Sequence, residues 1–147
     1  MNINEANIMG SIVALSIFLL CILIFIFRLA GKSTTEYYLG IAFLLTSLPL
    51  IWLLLTASQF HRPTIYFVQL SLMLLFIITE CLLDYIFKIN FRSTRWMAIA
   101  YVMLFFAGTG GMIGIGSITG RGWSITLIAL FLVMGFLAFF QRIKTGM

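Results

Sequence analysis

Two carboxylates stand inside an apolar stretch of the chain, IITECLLDYIFK, which runs from Ile77 to Lys88. Glu80 and Asp84 are four residues apart, so a helix places both on one face, with Lys88 one turn further on. Acids inside a membrane-crossing helix bind protons or cations, or hold helices together by hydrogen bonds. A carboxylate facing lipid costs about 3 kcal/mol on insertion scales, so we expect Glu80 to face the interior of a helix bundle.

The two carboxyl groups are expected to differ in charge. Burial disfavours the charged form of a carboxyl group, whereas a nearby cation favours it. Lys88, Arg92 and Arg95 follow Asp84 closely in the sequence. We therefore expect Asp84 to be ionised against these three basic residues, which are also the predicted contacts to lipid headgroups or phosphate. Glu80 lies about 10 Å inside the end of its segment and is expected to exchange a proton.

Thr46, Ser47 and Pro49 are predicted to lie at the depth of Glu80, in the sequence LLTSLPL. Pro49 has no N–H group, so one backbone carbonyl of the preceding turn lacks its helical donor, beside two hydroxyl groups. A protonated Glu80 could donate to that carbonyl, and an ionised one could accept from the hydroxyls. The predicted ligand- or proton-binding site is therefore Glu80, Asp84, Thr46, Ser47 and Pro49.

Long apolar segments are the elements that must position these residues. The chain is 63% hydrophobic and 9% charged, whereas soluble domains carry about 25% charged residues. A hydrocarbon core of about 30 Å takes roughly 20 helical residues. Residues 1–147 are therefore predicted to form one all-α membrane domain, a polytopic, compact bundle of five transmembrane helices. The predicted helices are residues 8–27, 38–57, 65–87, 97–118 and 123–140.

The basic residues predict the orientation of the five helices. Five crossings place seven of the nine Lys and Arg residues on one side and two on the other. The positive-inside bias then predicts the N-terminus outside and the C-terminus inside, in a cell membrane of the bacterial inner-membrane type. The leader MNINEAN has no basic residue, so we expect the first segment to be a retained helix and not a signal peptide.

A glycine-rich run, AGTGGMIGIGSITGRG, lies in and after the fourth segment. It does not match GxGxxG and follows no strand, so it does not indicate nucleotide binding. Gly110, Gly111 and Gly114 are predicted helix-packing positions, within the chain or between chains, because small residues let helix backbones approach. The alternative is a pliable segment that lines a cavity, since glycines weaken a helix.

The sequence contains few residues that could form a metal site, a catalytic site or a nucleic-acid-binding surface. Cys21 and Cys81 form no CxxC pair, and His61 is the only histidine. We therefore expect no metal site and no cofactor. No serine has an evident base beside it, so no catalytic residue is assigned. The basic residues flank helices and are not gathered on one surface, so we expect no nucleic-acid partner.

The leading functional expectation is a small, non-enzymatic membrane protein of binding or transport type, in which Glu80 is the titratable group. One alternative is a structural or accessory subunit of a larger membrane complex, in which Glu80 is a packing group. The other is a membrane-embedded enzyme acting on lipid headgroups, with Arg92 and Arg95 holding phosphate. The expected partners are the lipid bilayer and a second copy or another subunit.

Overall fold

The computed structural model describes residues 1–146, which are almost entirely helical. The α-helices are α1 (Ile3–Leu29), α2 (Ser33–Leu45), α3 (Ser47–Thr56), α4 (Thr64–Glu80), α5 (Arg95–Ser117) and α6 (Arg121–Thr145). A π-helical turn, Cys81–Ile86, continues α4, and a short 3₁₀-helix, Phe91–Ser93, precedes α5.

Five helical stretches in this part of the chain are long and apolar enough to cross a membrane, which confirms the predicted helix number. The second stretch, Ser33–Thr56, comprises α2 and α3, and the third, Thr64–Ile86, comprises α4 and the π-helical turn. Most stretches extend beyond the predicted limits, most clearly α1 and α6. The predicted limits enclose the apolar runs only, but backbone hydrogen bonding continues past them into polar residues, and charged side chains of suitable sign are favourable at helix ends.

The helix ends carry local signals that explain where they lie. Asn2 and Glu5 form a capping box at the start of α1, with donor–acceptor distances of 2.9 and 3.0 Å. Basic residues occupy the last turn of α1 and of α6, where they oppose the negative end of the helix dipole. We call the end of the bundle where α1 and α6 finish and α2 and α5 begin the basic end.

Pro49 interrupts the second membrane-crossing stretch. Because proline has no N–H group, the hydrogen-bond ladder is broken one turn earlier, and α2 ends at Leu45. The Thr46 N–H and hydroxyl both donate to the carbonyl of Phe43, at 3.1 and 2.6 Å. The chain nevertheless continues in the same direction as α3, since the Leu50 N–H donates to the Thr46 carbonyl at 3.3 Å.

The core is formed by side chains from all six α-helices. α4 packs most extensively against α5, while α1 contacts α2, α5 and α6. The interior is filled by large apolar side chains with less than 2% exposure, among them Ile17, Phe18, Leu50, Leu70, Met73, Met112 and Met134.

Glycines of α5 allow its close approach to α4. A Cβ atom at Gly108 would lie 3.2 Å from the Cα atom of Met73, and one at Gly111 would lie 3.3 Å from the Cβ atom of Gln69. A Cβ atom at Gly114 would collide with the amide of the same Gln69. This glycine face is covered by α4, so it does not face a second copy of the chain.

Gly110 differs from the other two glycines predicted as packing positions. The nearest atom to a Cβ atom placed there is Cε2 of Phe131 on α6, at 4.0 Å. This is an ordinary van der Waals distance, so Gly110 does not set the approach of two helices. The glycine ridge that contacts α4 comprises Gly108, Gly111 and Gly114.

Candidate functional site

A polar cavity of about 280 Å³ lies at the basic end, among α1, α2 and the third membrane-crossing stretch. We call it the acid cavity, because Glu36, Glu80 and Asp84 line it, which are three of the four acidic residues of the chain. Arg28 is the basic residue in its wall. The cavity therefore gathers most of the negative charge of the protein at one place.

Two of the three carboxylates are paired with arginines. Nε of Arg28 donates to Oε1 of Glu36 at 2.5 Å. Both terminal nitrogens of Arg92 donate to Asp84, at 3.2 and 2.9 Å, which is the two-pronged geometry that guanidinium and carboxylate groups favour. The charges of Glu36 and Asp84 are thus balanced within the site.

Arg92 is held in place by the short 3₁₀-helix. Phe91 is the large apolar side chain of that loop and is fully buried, with the Arg92 guanidinium carbon 4.6 Å from its ring centre. Burial of the guanidinium lowers the pKa of Arg92, but the hydrogen bonds and charge of Asp84 outweigh it and raise that pKa. Arg92 therefore stays protonated, and its ion pair persists across the neutral and alkaline range.

Glu80 has a different partner. The Tyr101 hydroxyl of α5 donates to Oε2 of Glu80, and no ion pair is formed by this carboxyl group within residues 1–146. Tyr101 is itself fixed by aromatic contacts, with ring centroids 4.7 Å from Phe91 and 5.3 Å from Phe76. Glu80 is therefore the carboxylate of the acid cavity that is not neutralised by an arginine.

The π-helical turn shapes the remaining wall of the acid cavity. It inserts an extra residue per turn, as the 2.8 Å bond from the Phe87 N–H to the Leu82 carbonyl shows, and such turns occur often at functional sites. Tyr85 of this turn lies against Tyr37, with ring centroids 5.6 Å apart. Its hydroxyl occupies the space that a Cβ atom at Gly40 would need.

The structure does not bring Thr46, Ser47 and Pro49 to Glu80. None of the three lines the acid cavity, whose α2 wall is formed by residues nearer the basic end, including Gly40 and Phe43. The Thr46 hydroxyl is used locally, by the Phe43 carbonyl. The expected grouping fails because the residues of α2 that face this cavity, among them Gly40 and Phe43, lie about one turn or more nearer the basic end than Thr46. The hydrogen bond to Glu80 comes from α5, through Tyr101.

The structure also places the three basic residues predicted to contact headgroups in different surroundings. Arg92 binds Asp84, as expected for a cation beside that carboxylate. Lys88 and Arg95 are exposed and line neither the acid cavity nor the cavity described next. The backbone of Lys88 is left-handed, with φ of 50°, where the chain leaves the π-helical turn.

A second cavity, of about 360 Å³, lies among α1, α5 and α6. We call it the aromatic cavity, because Phe25, Phe91, Tyr101, Phe105, Phe106 and Phe139 line it. Arg28, Arg92 and Arg142 lie at its basic end. Arg28 lines both cavities, and Tyr101 lines this one while it donates to Glu80. The two cavities therefore share a wall.

The sequence-based prediction did not include several residues of the site, above all Tyr101. A usable signal was present, since Tyr101 follows Arg95 by six residues and Glu80 precedes Phe87 by seven. Both side chains therefore lie about 10 Å from the same end of two helices joined by a short loop.

No metal site accompanies the acids in the part of the chain that the structure describes. No group of three or more His, Cys, Asp or Glu side chains there has the arrangement of a metal site. Cys21 is buried and Cys81 half-buried, and both are free thiols.

Neither protein-family models, nor curated proteins, nor solved structures match this chain. Its function is therefore inferred from the geometry of the two cavities.

Proposed function

We propose that this chain is a small integral membrane protein of binding or transport type, in which the Glu80 carboxyl group takes up and releases a proton. The proposal is supported by one observation above all. Glu80 lies inside the bundle, bordering a cavity, with a tyrosine hydroxyl as its partner and no arginine paired with it in residues 1–146. Intramembrane acids with this placement mark ion and proton pathways.

The surrounding charges keep proton exchange possible at Glu80. Arg28 and Arg92, which could hold Glu80 permanently ionised, are each engaged by another carboxylate, Glu36 and Asp84. The remaining titratable side chains facing the cavity are the phenols Tyr37 and Tyr85, while Tyr101 contacts Glu80 from α5. A proton that enters through the cavity meets Glu80 as the acceptor whose charge is not already balanced.

The substitution Glu80→Gln tests this proposal without removing the packing role of the side chain. Glutamine keeps an acceptor for the Tyr101 hydroxyl but cannot release a proton. Potentiometric titration of the purified protein in detergent should show one fewer titrating group per chain in Glu80→Gln than in wild type. Glu5→Gln is the matched control, because it removes an exposed carboxyl group at the other end of α1.

Identical titration curves for wild type and Glu80→Gln, with Glu5→Gln differing, would contradict the proposal. A Glu80→Gln protein that fails to accumulate would instead support a purely structural role. The expected result is a folded Glu80→Gln protein that has lost one proton site.

The structural or accessory-subunit hypothesis is the second candidate, and the Glu80–Tyr101 contact favours it. This hydrogen bond joins α4 to α5, the two helices with the most extensive contact, and polar side chains often link helices in this way. As a subunit, the chain should co-purify from its native membrane with a fixed partner. Isolation as a uniform, stable protein without any partner would count against this candidate.

The orientation and location belong to the proposal as well. We propose that the basic end faces the cytoplasm, with the N-terminus outside, in a cell membrane of the bacterial inner-membrane type. The support is the sequence distribution of Lys and Arg, which gather where α1 and α6 end. Under this orientation the acid cavity opens toward the cytoplasm.

A further inference from the structure

The aromatic cavity has the composition of a site for an amphiphile with a negative headgroup. From Ala98 to Phe106 on α5 its wall extends about 12 Å along the helix. Apart from the arginines and Gln141, its wall consists of Phe, Ala, Val, Gly and Tyr side chains. Its volume, about 360 Å³, lies at the lower end of the range for small-molecule sites. That space holds part of one acyl tail and not a whole two-tailed lipid.

The basic end of the aromatic cavity carries positive charge without a matching acid in its wall. Arg28, Arg92 and Arg142 line it, and no Asp or Glu does. Arg28 and Arg92 are paired with carboxylates on the far side, in the acid cavity. Arg142 is exposed and makes no ion pair with residues 1–146. Guanidinium groups bind phosphate and carboxylate oxygens in a two-pronged manner, so an oxyanion is the complementary headgroup.

Gln141 provides an independent indication of a ligand. Its side chain lines the cavity and the residue is only 5% exposed, yet its Oε1 atom is buried without a hydrogen-bond partner in the described part of the chain. Leaving a buried amide oxygen unpaired is unfavourable, so such atoms normally have a partner. The Oε1 atom only accepts hydrogen bonds, so a hydroxyl group of a lipid headgroup beside Arg142 would satisfy it, whereas a phosphate oxygen would not.

The aromatic cavity also has a route to the bilayer. Val102 of α5 and Phe139 of α6 line it and are nevertheless 39% and 65% exposed, on the outer surface between these two helices. In a membrane that surface contacts acyl tails. A lipid could therefore enter sideways between α5 and α6, with its headgroup level with the arginines at the basic end.

We propose that the aromatic cavity binds an anionic phospholipid, with one acyl tail between α1, α5 and α6, its phosphate at Arg142 and a headgroup hydroxyl group donating to Gln141. The negative charge selects this lipid from the bilayer, and the aromatic wall holds its tail. This site is distinct from the Glu80 carboxyl group, and it stands whether or not Glu80 titrates.

The test uses the full chain in nanodiscs made of equal parts phosphatidylglycerol and phosphatidylcholine with the same acyl chains. Native mass spectrometry after release into detergent counts the lipids that stay bound. Wild type should retain one phosphatidylglycerol per chain in preference to phosphatidylcholine. Equal retention of the two lipids, or none, would overturn the proposal.

Two pairs of variants locate the site. Arg142→Gln should weaken phosphatidylglycerol retention about tenfold, the loss expected for one charge-assisted hydrogen bond. Lys144→Gln removes the same charge from the same helix end outside the cavity and should retain the lipid. Ala138→Leu adds bulk to the cavity wall and should displace the tail, whereas Ala129→Leu, on the exposed surface of α6, should not. Equal effects within either pair would refute the assignment.

Inorganic phosphate distinguishes the lipid from a free anion. If the tail contributes to binding, millimolar phosphate should not displace phosphatidylglycerol from wild type. Displacement by phosphate alone would show a simple anion site at the arginines and overturn the lipid assignment.

Discussion

The hydrogen bond between Glu80 and Tyr101 allows a quantitative prediction from a double-mutant cycle. Tyr101→Phe removes the hydroxyl but keeps the ring, which packs 4.7 Å from Phe91 between centroids. Glu80→Met replaces the carboxyl group with an apolar side chain of similar length. Each single substitution therefore removes the interaction without adding a new polar contact, as such a cycle requires.

The expected coupling free energy is about 1 to 2 kcal/mol. Interhelical hydrogen bonds in membrane proteins average about 0.6 kcal/mol, with a maximum of about 1.7 kcal/mol. Bonds to a charged group are roughly twice as strong as neutral ones. Glu80 is half-buried and accepts this bond inside the bundle. The coupling free energy should therefore lie in the upper part of the range measured for interhelical hydrogen bonds. Tyr101→Phe alone should destabilise wild type, and it should have almost no effect in Glu80→Met.

The assay is reversible unfolding in mixed micelles, followed by circular dichroism, for wild type, both single variants and the double variant. Tyr38→Phe is the matched control, because Tyr38 is 66% exposed and its hydroxyl forms no hydrogen bond in the described structure. A coupling free energy indistinguishable from zero would refute the reasoning, since the two groups would then not be bonded. A Tyr38→Phe loss as large as that of Tyr101→Phe would show a general effect of removing a hydroxyl.

Two further substitutions test the packing and the ion pair. Gly108→Ala should destabilise the fold by about 1 to 3 kcal/mol, because its Cβ would press on the α4 backbone at 3.2 Å. Gly110→Ala, with 4.0 Å of clearance, should be neutral or stabilising in the same unfolding assay, and equal losses would contradict the assigned packing. Asp84→Asn should cost about 1 kcal/mol by leaving Arg92 unpaired, with a smaller loss at high salt. Because Asp84 raises the pKa of Arg92, this contribution should not be lost on raising the pH to moderately alkaline values, and such a loss would contradict the pairing.

The helical architecture could be predicted from the sequence because hydrophobic length is nearly sufficient to define membrane-crossing helices. A bilayer requires each crossing segment to satisfy its own backbone hydrogen bonds, so apolar runs of about 20 residues specify helices directly. The finer features follow from local effects. Pro49 divides the second stretch by removing one N–H donor, and this proline is visible in the sequence. The π-helical turn at Cys81–Ile86 has no comparable signal in the sequence.

The neighbours of Glu80 could not be predicted as reliably as its depth. Helix length gives the distance of Glu80 from the end of its helix, at about 1.5 Å per residue. Depth leaves open which side chains of the neighbouring helices lie opposite, and the predicted grouping of Thr46 with Glu80 rests on depth alone. In the structure, Gly108 and Gly111 allow α5 to pack closely against α4. Tyr101 on α5 is thereby the group that reaches the carboxylate.

Difference infrared spectroscopy of the carboxyl C=O stretch is the most direct test of proton exchange at Glu80. Across a pH titration, wild type should show the band of a protonated, hydrogen-bonded carboxyl group appear and disappear. Other carboxyl groups, such as Glu5, give bands of their own, so the test is the component of the wild-type band that Glu80→Gln lacks and Glu5→Gln keeps. A Glu80→Gln spectrum identical to that of wild type would contradict the account.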